Sequence, residues 1–184
     1  MSSRHLILGR TTDFITGRKI DDTVDEQVRQ KIARFLIEKK GYQKEDIDAR
    51  RKIRLTVDGN AGETMVDFII KPGGTPFILI NFAPGSIVTR ERSTLAAARL
   101  VEDYEIPISV ITNGIDTHVM ETKSGKIIAR GLDKIFSKKE AFDKIAELVL
   151  EKISETRLEK ERRILYTFDV LAEKECNDFR CSKF

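Results

Sequence analysis

The sequence has no tryptophan, two cysteines, two histidines and no long apolar run, and each shortage closes off a class of protein. Without a run of about 18 apolar residues there is no membrane-spanning helix. The opening string, Met1 to Arg10, has too short an apolar core for a secretory signal, so the expectation is a cytoplasmic protein that does not engage membranes. Cys176 and Cys181 are too few for a disulfide framework. To hold zinc they need two further ligands, and His5 and His118 lie far away in sequence. They read as structural or surface thiols, with a disulfide or metal role as the alternative. No Gly-x-x-x-x-Gly-Lys-Ser/Thr string occurs, so the sequence carries no P-loop motor. The net charge is only +3 over 184 residues. Any affinity for nucleic acid must therefore come from local clusters.

What is present is enough apolar material for one domain with an appendage, 40% of residues, beside 34% charged residues. The chain is organised around Glu63–Gly85. Thr64–Ile70 and Pro76–Phe82 are rich in β-branched and aromatic residues and read as two buried strands. Lys71-Pro72-Gly73-Gly74-Thr75 between them is turn chemistry. Two polar side chains, Asp67 and Asn81, sit inside this apolar hairpin. Burying a polar group without a partner costs on the order of 2–7 kcal/mol, and a carboxylate more, so Asp67 needs an explanation. A register that sets Asp67 near Asn81 makes a polar spot at the end of the sheet. Two readings follow. Asp67 with a second oxygen ligand is a common way to hold a divalent metal such as magnesium. Alternatively, Asp67 is a strand-end carboxylate that binds a backbone N–H.

Around the hairpin the pattern is mixed α/β. Residues 10–24 form a polar lead-in. A first helix starts at an Asp22 or Thr23 cap, with Asp25 and Glu26 in its first turn, and ends at Gly41. Val28, Ile32, Phe35 and Leu36 make its apolar stripe. Arg29, Lys31, Arg34, Lys39 and Lys40 fall on the other face and read as solvated. Ile53, Leu55 and Val57 alternate with polar residues as in a half-buried strand. The cluster Arg50, Arg51, Lys52 and Arg54 on that strand either meets phosphates or guards a sheet edge against aggregation. Asp58 to Gly62 is a turn. Thr89–Tyr104 reads as a second helix, Ile106–Thr112 as a buried strand, and Thr117–Thr122 with Lys126–Ala129 as a last hairpin. In the tail, Phe142 to Ile153 gives one helical stripe. Ile164, Leu165, Phe168 and Leu171 give another, which either folds back or pairs with a second copy.

Several strings, in this order, resemble the N-terminal nuclease domain of type I restriction enzyme R subunits, in the restriction-endonuclease-like PD-(D/E)XK superfamily. They are Val28-Arg29-Gln30-Lys31-Ile32, Glu38-Lys39-Lys40-Gly41-Tyr42, Val66-Asp67-Phe68-Ile69, Pro76 to Gly85 and Ile106 to Gly114. The resemblance covers roughly residues 20–125. It implies a restriction-endonuclease-like mixed sheet flanked by helices over residues 1–135, with a helical extension over 136–184. It implies DNA as partner and magnesium as cofactor where the site works. In that family an Asp and a Glu on the hairpin bind the metal, a Lys two residues after the Glu assists the attacking water, and a helix Glu completes the site. Asp67 matches the Asp, and Glu26 is the candidate helix Glu. Asn81 stands in place of the Glu and Ala83 in place of the Lys. Asn is a weaker metal ligand and Ala cannot polarise water. The motif is degraded, and the expectation is DNA binding or scaffolding with weak or no cleavage. The alternative is an active metal-dependent endonuclease in which the following helix supplies the missing group, from Glu91 or Arg92.

Overall fold

The computed structural model describes residues 6–150 and 152–171. Cys176 and Cys181 lie outside the described residues. Two short strands, β1 (Gly9–Thr12) and β2 (Lys19–Asp22), form a separate antiparallel pair. The turn between them is held by Asp13, whose Oδ1 accepts from the amides of Ile15 (3.0 Å) and Thr16 (2.8 Å), the local side-chain bonding that makes Asp a turn residue. Helix α1 (Val24–Glu38) is capped by the Thr23 hydroxyl, which accepts from the Glu26 amide at 3.1 Å. Just past its end Gly41 adopts φ +76°, a left-handed conformation that glycine takes without a Cβ clash.

The main sheet has six strands in the order β3 (Ile47–Val57), β4 (Asn60–Ile70), β5 (Ile78–Phe82), β6 (Ile108–Thr112), β7 (Thr117–Glu121) and β8 (Ile127–Arg130). Only β5 and β6 run parallel. They are joined through α2 (Glu91–Leu100), as a parallel pair requires a crossover. The β3–β4 turn places Asp58 and Gly59 at φ +48° and +79°, the tight hairpin geometry whose twist matches that of its strands. It is shorter than the Asp58–Gly62 turn expected.

Helices cover both faces. On one face α1 contributes Ile32, Ala33 and Leu36 to a core with Phe68, Ile70, Ile78, Ile80, Val110 and Val119. On the other, Ala96, Ala97 and Ala98 of α2 pack with Ile53, Leu55, Val66, Ile69 and Leu79. Small side chains let α2 approach the sheet closely. The second helix is shorter than Thr89–Tyr104. A 3-10 turn, Ile87–Arg90, precedes it, and the chain leaves the helix in time for the Tyr104 hydroxyl to donate to the Pro76 carbonyl at 3.0 Å.

The tail differs from the expected stripes. Helix α3 (Lys138–Ala146) turns Ala141 inward, while Phe142, Leu148 and Val149 are exposed. The stripe drawn from Phe142 to Ile153 is thus not one helical face. Helix α4 (Glu155–Leu165) runs into a π-helical segment, Tyr166–Leu171. Leu165, Tyr166 and Val170 enter the same core as α2 and β3, with Ile164 beside them. The last stripe therefore folds back. Phe168 is its outward member, and a second copy would meet Phe168 rather than Leu165.

Candidate functional site

The site lies where β4 and β5 separate. Their pairing runs from Ile70↔Ile78 to Phe68↔Ile80 and stops. The next two residues, Asp67 and Asn81, replace the backbone ladder with side-chain bonds. The Asn81 Oδ1 accepts from the Asp67 amide at 3.3 Å, and the Asp67 Oδ2 accepts from the Phe82 amide at 2.7 Å. The other carboxylate oxygen, Oδ1, accepts from Arg29 Nε at 2.6 Å. The Arg29 guanidinium also lies 4.8 Å over the Phe82 ring, a cation–π contact. Asp67 is only 6% exposed, and both of its oxygens are satisfied, as a buried carboxylate requires.

A second ionic cluster adjoins it. Arg50 stands between the β3–β4 pairs Ala49↔Phe68 and Arg51↔Val66, opposite Asp67. Its φ is +61°, a left-handed conformation costing an L-residue roughly 1–2 kcal/mol. At this level both strands change sides. Ala49 and Phe68 pack toward α1, whereas Ile53, Leu55 and Val66 pack toward α2. The turn of the backbone aims Arg50 inward. Its Nη2 donates to Glu26 Oε1 at 2.5 Å and its Nε to Asp13 Oδ2 at 3.1 Å. Gln30 donates to the same two oxygens, at 2.7 and 3.2 Å. Burial alone would raise the Asp13 pKa, but the Thr16 amide, the Arg50 guanidinium and the Thr16 hydroxyl together hold it below its usual value. Burial alone would lower the Arg50 pKa, and its bonds and proximity to Glu26 and Asp13 reverse that.

The residues singled out in the sequence do not gather at one place. Asp67 and Asn81 meet. Glu26, 5% exposed, belongs to the Arg50 cluster, one turn of α1 before Gln30. Glu91 is elsewhere: its Oε1 is 2.5 Å from Nδ1 of His118, whose Nε2 accepts from Arg130. Ala83 is buried, and its amide donates to the Thr112 carbonyl at 2.9 Å. Of the basic cluster, Arg50 points inside and is not offered to phosphates. Arg51 pairs with Asp48 at 3.0 Å. Lys52 and Arg54 share Glu63, at 2.6 and 3.0 Å, and hold its carboxyl below the usual range. Arg54 keeps 83% of its side-chain surface exposed.

For a divalent cation this donor set does not fit. Such an ion takes several oxygens. Here both Asp67 oxygens hold N–H donors, the Asn81 oxygen is turned to an amide, and Glu26 holds Arg50 and Gln30. Among the described residues no group of three or more His, Cys, Asp or Glu is placed to hold a metal ion.

Sequence reasoning missed Arg29, which it left on a solvated face, and Asp13 and Gln30. The signal for Arg29 was the demand of Asp67 itself: a buried carboxylate needs a partner, and Arg29 follows Val28 at the border of the apolar stripe. Comparison with protein families matches residues 24–135 to the family described as Type I restriction enzyme R protein N terminus (HSDR_N). No curated protein and no solved structure matches the chain.

Proposed function

The chain belongs to the family of the type I restriction enzyme R protein N terminus, on a match that spans residues 24–135, and from that premise we propose a cytoplasmic, nuclease-like domain that associates with DNA without cutting it. The family supports the nuclease-like role and the DNA. The observation that carries the loss of cleavage is the state of Asp67. Its carboxylate is neutralised by Arg29 and held by the Phe82 amide, with Asn81 and Ala83 where a metal-binding Glu and a water-activating Lys are expected. A carboxylate neutralised by a guanidinium, with an N–H donor on each oxygen, is a weaker ligand for a cation. Among the described residues no helix is long and apolar enough to cross a membrane.

Attraction to DNA falls to Arg51, Lys52 and Arg54, which face solvent on β3. Phosphate contacts release counterions, so affinity falls with salt, by a slope of about 0.9 per contact. The test is fluorescence anisotropy of a labelled duplex across a salt series. The reading expects affinity that drops steeply with salt, and a shallower slope in Lys52→Ala. No binding at low salt, or binding indifferent to salt, contradicts it.

A further inference from the structure

A metal site presents oxygens to its ligand. The surroundings of Asp67 present N–H groups instead. Arg29 uses Nε on Asp67, and its Nη1 and Nη2 have no hydrogen-bond partner among the described residues, with 22% of the side chain exposed. Asn81 uses its oxygen on the Asp67 amide. Only an oxygen can accept from that N–H, which fixes the orientation of the side-chain amide. Its Nδ2 is left without a partner among the described residues. The Arg29 guanidinium is pinned on one side by the 2.6 Å bond to Asp67 and on its face by the Phe82 ring. Little side-chain entropy remains to be lost on binding, and the planar fork suits two oxygens of one phosphate.

We propose that the β4–β5 junction is an anion site for a single phosphodiester group, with the free edge of Arg29 as its ligand. The proposal rests on the DNA-associated reading for the source of the phosphate, not for its chemistry. Asp13, Glu26 and Asp67 against Arg29 and Arg50 leave the neighbourhood one negative charge in excess. The site therefore works through the placement of its donors at short range. Long-range attraction is supplied by Arg51, Lys52 and Arg54. Free phosphate is expected to bind weakly, and a phosphate within a duplex more tightly, because the remaining contacts hold it there.

The experiment has two arms. In the first, the Arg29 side-chain Nε–H resonance is followed by NMR during titration with sodium phosphate and with sodium chloride at equal ionic strength. The second measures binding of a labelled duplex to the parent, Asn81→Asp and Arg29→Lys. Asn81→Asp keeps an oxygen for the Asp67 amide but removes the donor and adds a negative charge. Arg29→Lys keeps the charge beside Asp67 and removes the fork. The spectra report whether each variant is folded. Phosphate, and not chloride, is expected to move the Arg29 signal. The shift is expected to vanish in Asn81→Asp, with duplex affinity about tenfold weaker in either variant, the worth of roughly one hydrogen bond to a charged group. A signal that responds equally to both salts overturns the anion site. So does duplex binding that neither variant weakens, and in that case DNA association stands. A phosphate-specific shift without duplex binding keeps the anion site and rejects DNA as the source of the phosphate.

Discussion

Asp67 and Arg29 are each the condition for the other's burial. Removing one side of such a pair leaves an uncompensated charge, at a cost of about 3–5 kcal/mol. Asp67→Ala is therefore expected to lose about that much stability in urea unfolding. The double variant Asp67→Asn with Arg29→Gln, which removes both charges, should lose much less. Equal losses would mean that the pair is incidental. Asp13 gives a prediction in pH. Its folded pKa lies below the ordinary value of about 3.9, so its stabilisation is complete above that value and is lost as pH falls through the folded pKa. The urea midpoint should drop on acidification below about pH 4, and less so in Asp13→Asn; parallel curves would contradict this. The sequence did pose the problem at this scale. Asp67 stood out as a carboxylate among Val, Phe and Ile, and its pairing with Asn81 followed from the hairpin register. Arg29 was not legible. A border position on a helix faces either way, and only the tertiary demand of Asp67 decides which.

At the scale of elements, the strands and α1 were readable because their apolar periods are clean. Two features were not. The change of sides at Arg50 leaves no mark in composition, since alternation simply restarts out of phase beyond it. The last stripe, Ile164, Leu165, Phe168 and Leu171, reads the same whether it seats on its own domain or on a second copy. Its seating is specific: a Cβ at Gly62 would lie 2.5 Å from Val170 Cγ1 and 3.0 Å from Tyr166. Gly62 does not adopt a left-handed φ, so the need for glycine there is steric. Gly62→Ala is expected to cost about 1–3 kcal/mol by overpacking, and Leu165→Ala about 2–5 by leaving a cavity. Both are checked by thermal or urea unfolding. Unchanged stability in the pair would mean that the tail does not seat on β4.

For the molecule as a whole, one row of the sheet concentrates the polar chemistry. Asn81, Ile111, His118 and Arg130 stand in register across β5 to β8. Asp67 and Arg50 continue the row on β4 and β3. Toward α1 it holds the Arg29 and Arg50 clusters; toward α2, the Glu91–His118–Arg130 contact. The exposed cations lie beyond it on β3, where Glu63 neutralises two of them. Glu63→Gln should free Lys52 and Arg54, raise duplex affinity severalfold and steepen its salt slope; unchanged affinity would remove these cations from the DNA-binding face. The family was legible from the order of short strings, and the matched span ends before α3. Helix α4 nevertheless shares a core with β3, β4 and α2. The central claim is that the nuclease scaffold is retained while the metal-dependent step is lost. Its most direct test is plasmid cleavage by protein in excess of DNA, with magnesium and with manganese, beside Asp67→Ala. The account predicts intact plasmid with either metal. Cleavage by the parent that disappears in Asp67→Ala would contradict it, by showing that Asp67 releases Arg29 and binds a cation after all.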